Sequence, residues 1–182
     1  MKGNMRITYY AASSIDGFIA RENGDVSWLD ELAIDMADTG YDEFFAGIDG
    51  LVMGRSTYDF VFSYGSWPYS DRPTWVCTSR GLESLEGANL RVAKSPDDVV
   101  EEAESMELKH LWMVGGGKLA SSFLAEGLLS HLSISEMPVR LESGIPLFAD
   151  EKLEDLSVEK TEIFLKKGFR QIEMALRTSK RA

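Results

Sequence analysis

Three apolar runs in this chain end in the same way. "GLVM" is followed by Gly54-Arg55-Ser56-Thr57, "TWVC" by Thr78-Ser79-Arg80, and "LWMV" by Gly115-Gly116-Gly117-Lys118. Two of the three lead into segments with helical spacing, "RSTYDFVFSYG" and "KLASSFLAEG". Strand-like runs that pass repeatedly into helices build βα units, which set their strands parallel and cover the sheet with helices. The carboxyl ends of parallel strands then share one edge, where ligand crevices form.

The other segments extend this alternation. "RITYYAAS" reads as the first strand, and the turn signals Asp16-Gly17 and Asn23-Gly24 make residues 13–28 largely loop, with an extended piece at Phe18-Ile19-Ala20. Leu29, Leu32, Ala33, Met36 and Ala37 recur at helical spacing and predict a helix from Leu29 to about Gly47, broken near Thr39-Gly40. Ser56 or Thr57 is expected to cap the next helix. Ser95-Pro96 should start another after the strand "NLRVA", and Gly127 should close the one begun by the glycine triple. Towards the end, "HLSISEMPVRL", "LEDLSVEKTEIFL" and "GFRQIEMALRT" are β-type runs, with Lys166-Lys167-Gly168 as a hairpin turn between the last two. The expected architecture is one α/β domain over residues 1–182. It has a mostly parallel central sheet, helices on both faces and a C-terminal antiparallel addition at one edge.

A formal net charge of -11 argues against nucleic-acid and anionic-membrane partners, which reward a basic face. No run approaches the roughly 18 apolar residues of a membrane span. The single cysteine, Cys77, cannot form an internal disulfide, so a cytoplasmic setting is expected. Against this acidic background, Arg55, Arg80 and Lys118 stand at three strand ends. Taken singly they are surface cations, Gly54 and the glycine triple are strand-to-helix turns, and Ser56 or Thr57 is an ordinary cap. Taken together they point to a polyanionic ligand, since helix N-termini and arginine forks both match phosphate. A dinucleotide carrying an extra phosphate fits that description. Trp67, Tyr69 and Trp75 read either as pocket lining or as an aromatic loop folded over a core, and His110 and His131 as surface residues. No metal site is apparent.

The segments "ITYYAASSIDGFIARENGDVSW", "LVMGRSTYD", "VCTSR" and "MVGGGKLASSFL", in this order, resemble the dihydrofolate reductase superfamily over nearly the whole chain. "SIDGFIA" together with "MPVRLESGIPLF" is more similar to the reductase domain of the bifunctional deaminase/reductase of riboflavin biosynthesis, and to its stand-alone relatives. The resemblance implies a dihydrofolate reductase-like fold and NADPH as cofactor. It would set Arg55 at the adenosine 2'-phosphate side and Gly54, Ser56 and Thr57 at the pyrophosphate. Thr78, Ser79 and Arg80 would flank the 2'-phosphate, and the amides of Gly115, Gly116, Gly117, Lys118 and Leu119 would run beside pyrophosphate and ribose. Ala12 would hold the nicotinamide carboxamide through its backbone, with Ile19 against the ring.

On the substrate side, Asp16 matches the aspartate of the "S-x-D-G" segment of riboflavin-type reductases, and Glu136 is expected to face the same pocket. Read without the resemblance, Asp16 is a turn residue and Glu136 an exposed strand residue. Dihydrofolate reductases carry an acid five positions after the loop tryptophan. Counting from Trp28 here reaches Ala33, and on a helix Asp30, Glu31 and Asp35 would point elsewhere. Arg21 and Arg140 are the candidates for a substrate phosphate.

The leading reading is an NADPH-dependent reductase of the riboflavin-pathway type acting on a small heterocycle. A dihydrofolate reductase-like enzyme with altered pterin activity and a non-catalytic NADPH-binding protein are the alternatives. The long β-type runs near the C-terminus would leave an edge to be covered, and a homodimer would cover it.

Overall fold

The computed structural model describes residues 5–178. In chain order it contains β1 (Arg6–Ser14), β2 (Phe18–Ala20), α1 (Tyr41–Ala46), β3 (Gly50–Gly54), α2 (Arg55–Ser63), β4 (Thr74–Cys77) and β5 (Leu90–Ala93). There follow α3 (Pro96–Ser105), β6 (His110–Gly115), α4 (Gly117–Ala125), β7 (His131–Met137), β8 (Ile145–Pro146), β9 (Val158–Leu165) and β10 (Arg170–Leu176). An eight-stranded sheet has the order β5-β4-β3-β6-β1-β7-β10-β9, and β2 pairs with β8 in a separate ribbon. All strands from β5 to β7 in that order are parallel, and β10 and β9 complete the edge as an antiparallel hairpin. The expected α/β class and its C-terminal hairpin are observed. Among the described residues no helix is long and apolar enough to cross a membrane.

Strand alternation supplies two cores. On one face Val52, Trp75, Leu111 and Met113 meet Val99 and Ala103 of α3 and Ala120 and Phe123 of α4. On the other face Leu51, Met53, Val76 and Trp112 meet Tyr58 and Val61 of α2, with Phe44 and Phe45 of α1 packed alongside. Trp112 centres that second core. Tyr10, Tyr41, Phe44 and Tyr69 stand edge-on to it at 5.5–6.0 Å, and its indole N–H donates to the Tyr10 carbonyl. Trp75 is fully buried, and Trp67 packs edge-on against Tyr69 at 5.1 Å, so these aromatics fold over the core.

Three expectations need correction. The helix from Leu29 to Gly47 is absent as such. Short 3-10 turns occupy Ser27–Leu29 and Met36–Thr39, and only Tyr41–Ala46 is α-helical. The Asp35 side chain accepts from Ala37 N–H and starts a fresh turn, while Gly40 at φ 75° ends it. Leu29, Leu32 and Ile34 lie against Trp28, Met137 and Phe169 in a third, smaller cluster. Second, β7 is not part of the antiparallel addition, because it follows a helical crossover and emerges parallel to β1. Reversal begins only at β10, whose turn from β9 is closed by Lys166 N–H to Phe169 O. Third, His110 and His131 are half-buried. His110 Nε2 lies 2.8 Å from Thr8 Oγ1 and Nδ1 3.1 Å from Gly47 O; burial, then the nearby Arg6, lowers the pKa of both rings.

The hairpin is pinned by a buried polar set. Gln171 accepts from Ser135 Oγ at 2.7 Å and donates through Nε2 to Ser133 Oγ and Glu173 Oε1 at 2.9 and 2.8 Å, and Ser133 also donates to Glu173. Gln171 faces Ser135, and Glu173 faces Ser133, so a slip of β10 would break every bond at once. Beyond it β9 is an open edge whose Ile163, Phe164 and Leu165 are 54%, 46% and 84% exposed. Replacing Gln171 with alanine leaves the Ser135 hydroxyl without its acceptor and removes a donor from Ser133 and Glu173, and is expected to lower the unfolding free energy by about 1–3 kcal/mol in urea titrations.

Candidate functional site

β4, β3 and β6 are neighbours, and their register aligns the ends that the sequence singled out. Gly54 lies opposite Cys77, and Met53 opposite Gly115. Around this edge α2 begins at Gly54 and α4 at Gly116, and neither helix has a side-chain cap or an acidic residue in its first turn. Ser56 and Thr57 therefore do not act as the expected caps, because Gly54 occupies the cap position in extended backbone and both residues already lie inside the helix. The contrast with α3 is direct: Ser95 and Asp98 form a reciprocal capping box there, with Asp97 and Asp98 in the first turn. The N-terminal amides of α2 and α4 thus have no side-chain cap, and the helix dipole gives them a partial positive charge.

The surrounding side chains hold this edge together. Thr57 Oγ1 faces the cis Gly115–Gly116 peptide, 3.7 and 3.8 Å from where β-carbons would stand on the two glycines. Arg55 donates from Nε to Asp59 (2.6 Å) and from Nη1 to Gly81 O (2.8 Å), which lays its guanidinium against the loop after β4. Tyr58 ties the same loop to α2 by donating to Glu83 O, and within the loop Thr78 Oγ1 accepts from Arg80 N–H at 3.1 Å. Arg80, Ser79 and Lys118 are exposed. Cys77 at the end of β4 has its thiol pKa pushed up to about 11, by burial and then by Asp98. Gly117 meets a further requirement, since a β-carbon there would lie 2.3 Å from Pro146 O.

Next along the sheet, β1 and β6 pair only from Arg6–His110 to Tyr9–Met113, whereas β1 continues beside β7 as far as Ser14–Met137. The sheet opens between β1 and β6 at the same carboxyl edge. Ala12 lies on the far part of β1 and packs towards Trp28, and Ile19 of β2 packs against the larger core. Asp16 and Glu136 line one cavity of about 770 Å³ at the ends of β1 and β7. Its outer wall is the segment 146–154, anchored by Tyr9 Oη donating to Leu147 O, Leu147 N–H to Gly17 O, and Ser121 Oγ to Glu151 (3.0, 2.9 and 2.7 Å). The 146–147 backbone touches Gly117 on one side and lines the cavity on the other, so the β4-β3-β6 edge and the cavity share a wall.

Both Asp16 oxygens are engaged, accepting from Leu141 N–H at 3.1 Å and Glu142 N–H at 2.8 Å. Burial alone would raise its pKa, but the Ser14 hydroxyl and the Glu142, Leu141 and Asp16 amides outweigh burial and hold the carboxyl below its usual range. Glu136 pairs with Arg170, whose Nε and Nη2 lie 2.8 and 2.5 Å from Oε1. Of the proposed phosphate candidates, Arg21 pairs with Asp25 at 3.5 Å, and Arg140 lines a smaller adjoining hollow with Glu136, Arg170 and Phe169. Ala33, Asp30, Glu31 and Asp35 are all exposed. The neighbouring acids are outside the cavity because the chain there is looped, and the helical-angle argument does not apply.

Residues 66–167 match the RibD C-terminal domain family. Two uncharacterized Bacillus subtilis (strain 168) proteins are similar at comparable length. YwjB is 32% identical over 140 residues, covering 76% of this chain and 80% of its own, and YyaP is 29% identical over 161 residues, covering 81% and 82%. The chain belongs to the RibD C-terminal domain family.

Among solved RibD-type folds, a Shewanella sp. PV-4 protein named for riboflavin biosynthesis superposes with a TM-score of 0.78 at 30% identity, over 95% of this chain and 99% of that one. The Thermotoga maritima diaminohydroxyphosphoribosylaminopyrimidine deaminase/5-amino-6-(5-phosphoribosylamino)uracil reductase gives 0.76 at 14% identity and shares the fold. It covers 96% of this chain but only 57% of that longer protein. The stretch that matches the RibD C-terminal family contains Thr78–Arg80, Gly115–Leu119 and Glu136, while Ala12, Asp16, Ile19 and Gly54–Thr57 precede it. The wall at 146–154 was not assigned from the sequence, although Gly144 and Pro146 in "ESGIPLF" are its signal: a β-carbon on Gly144 would lie 2.2 Å from Ala20 O. Asp16→Asn replaces one acceptor oxygen by a donor facing an N–H, and should lower stability by about 1–3 kcal/mol. Because the native pKa is depressed, the Asp16 contribution is present above the unfolded carboxylate value and fades as pH falls through the folded one. The difference between wild type and variant in urea melts should therefore shrink in acid.

Proposed function

We propose that the protein is an NADPH-dependent reductase of the riboflavin-biosynthesis type, transferring a hydride to a small heterocyclic substrate. The observation that carries this reading is the contiguous edge of β4, β3 and β6. Two uncapped helix N-termini, a guanidinium held on the adjacent loop and close-set glycine backbone meet there, in a chain of net charge -11. The donor set fits a phosphorylated dinucleotide. Gly54, Ser56 and Thr57 would hold pyrophosphate with the amides of Gly115–Leu119, and Arg55, Thr78, Ser79 and Arg80 would hold the 2'-phosphate. The backbone of Ala12 and the side chain of Ile19 would receive the nicotinamide end where β1 and β6 part. NADPH supplies the hydride when bound.

On the other side of the shared wall, Asp16 and Glu136 would orient the substrate. Asp16 is held ionised and acts as a hydrogen-bond acceptor, so the proton that completes reduction is assigned to water in the cavity. The Shewanella protein named for riboflavin biosynthesis supports the pathway type.

The same reading includes a homodimer through β9. Lys160 and Glu162 flank Thr161 and already pair at 2.8 Å within one chain, so antiparallel pairing centred on Thr161 would set each lysine against the partner subunit's Glu162. Light scattering should give twice the 20.3 kDa chain mass, and Leu165→Glu should shift it towards monomer; a wild-type monomer would contradict the dimer.

The cofactor assignment is tested by tryptophan-fluorescence titration with NADPH and NADH. Arg55→Ala should weaken NADPH about tenfold or more, as loss of a charge-assisted bond does, and change NADH by less than about twofold. Equal losses would contradict the 2'-phosphate role, and binding of NADPH without turnover of any heterocycle would favour a non-catalytic binder.

A further inference from the structure

The cavity beside the cofactor edge has an electrostatic character opposite to that edge. Asp16 and Glu136 project from the sheet side, and Asp150, Glu151 and Glu154 from the covering segment. Lys152 and Arg170 are the cations in this lining, and Arg170 is already committed to Glu136 through two nitrogens. One anion on each wall is fixed. Asp16 is clamped by two backbone amides, and Glu151 accepts the Ser121 hydroxyl at 2.7 Å. Neither can swing aside for an incoming anion without losing those bonds. Between the charges the lining is apolar, with Phe148, Leu153, Ile172 and Met174.

We propose that the substrate of this cavity carries no phosphate and is an uncharged or cationic heterocycle with an apolar face and amino or amide N–H donors for the carboxylates. The proposal rests on the reading above that places the substrate with Asp16 and Glu136, and it narrows that reading to the unphosphorylated members of the substrate class. A phosphate monoester entering the cavity would be a dianion within a Debye length, roughly 8 Å, of several like charges. The protein's overall negative charge adds to that field. Lys152, exposed on the covering segment, and Arg140, exposed in the adjoining hollow, are the cations left for a phosphate, against five carboxylates in the lining.

The test compares 5-amino-6-(ribosylamino)uracil with its 5'-phosphate, using the full chain and saturating NADPH. Binding is followed by calorimetry and turnover by NADPH absorbance. The unphosphorylated compound should bind about tenfold or more tightly, and 0.5 M salt should narrow the gap because like-charge repulsion is screened. The double variant Asp150→Asn/Glu154→Gln, which removes two exposed charges, should tighten the phosphate selectively. Tighter binding of the phosphate, whether through Arg140 or Lys152 as Arg140→Ala and Lys152→Ala would distinguish, would overturn the proposal. So would failure of both compounds to bind while NADPH binds. Failure of NADPH itself to bind would instead overturn the reductase reading.

Discussion

The insertion of β6 between β3 and β1 is the constraint on which the rest depends. Because β6 is parallel to both neighbours, the junctions after β4, β3 and β6 come to one edge, and the sheet parts where β1 leaves β6 for β7. Burial enforces the arrangement: Leu111 and Met113 fill one core while Trp112 fills the other, so β6 cannot slip by one residue without exchanging its faces. No single motif along the chain contains a site. The register brings together three segments spread along more than sixty residues of chain, from Gly54 to Leu119.

Two regions of opposite character result, divided by the 146–147 backbone. On one side α2 and α4 present uncapped N-termini with cations around them; on the other a cavity is lined by clamped carboxylates. A dinucleotide and a small unphosphorylated heterocycle are the ligands we propose for these two environments respectively. The wall between them is thin because Gly117 admits Pro146 O to a distance no other residue would allow. Tyr9, Leu147 and Gly17 then lock that wall to β1 through hydrogen bonds.

Much of this was legible in the chain. The alternation of apolar runs and helical spacing gave the parallel order, and glycines with cations at strand ends marked the edge that the register later assembled. What was not legible required tertiary contacts. Leu29 and Leu32 have helical partners by spacing, but they pack with Trp28, Phe169 and Met137, and Asp35 diverts the backbone into a new turn. Ser56 and Thr57 are good caps by residue type, yet the cap position falls on Gly54, the last residue of β3. Gly117 resembled a ligand seat in sequence and also serves packing, against the 146–147 backbone nearly thirty residues away in the chain. The chemistry of Asp16 was ambiguous between turn and site, and its amide clamp joins the two: a turn residue that fixes one wall of the cavity.

The central claim is that a phosphorylated dinucleotide occupies the β4-β3-β6 edge. Hydrogen–deuterium exchange of the full chain with and without NADPH tests it most directly. The account predicts added protection at residues 54–57, 78–81 and 115–119, with the cavity wall at 148–154 unchanged until substrate is added. Protection confined to 148–154, or absent from all three strand ends at saturating NADPH, would contradict it.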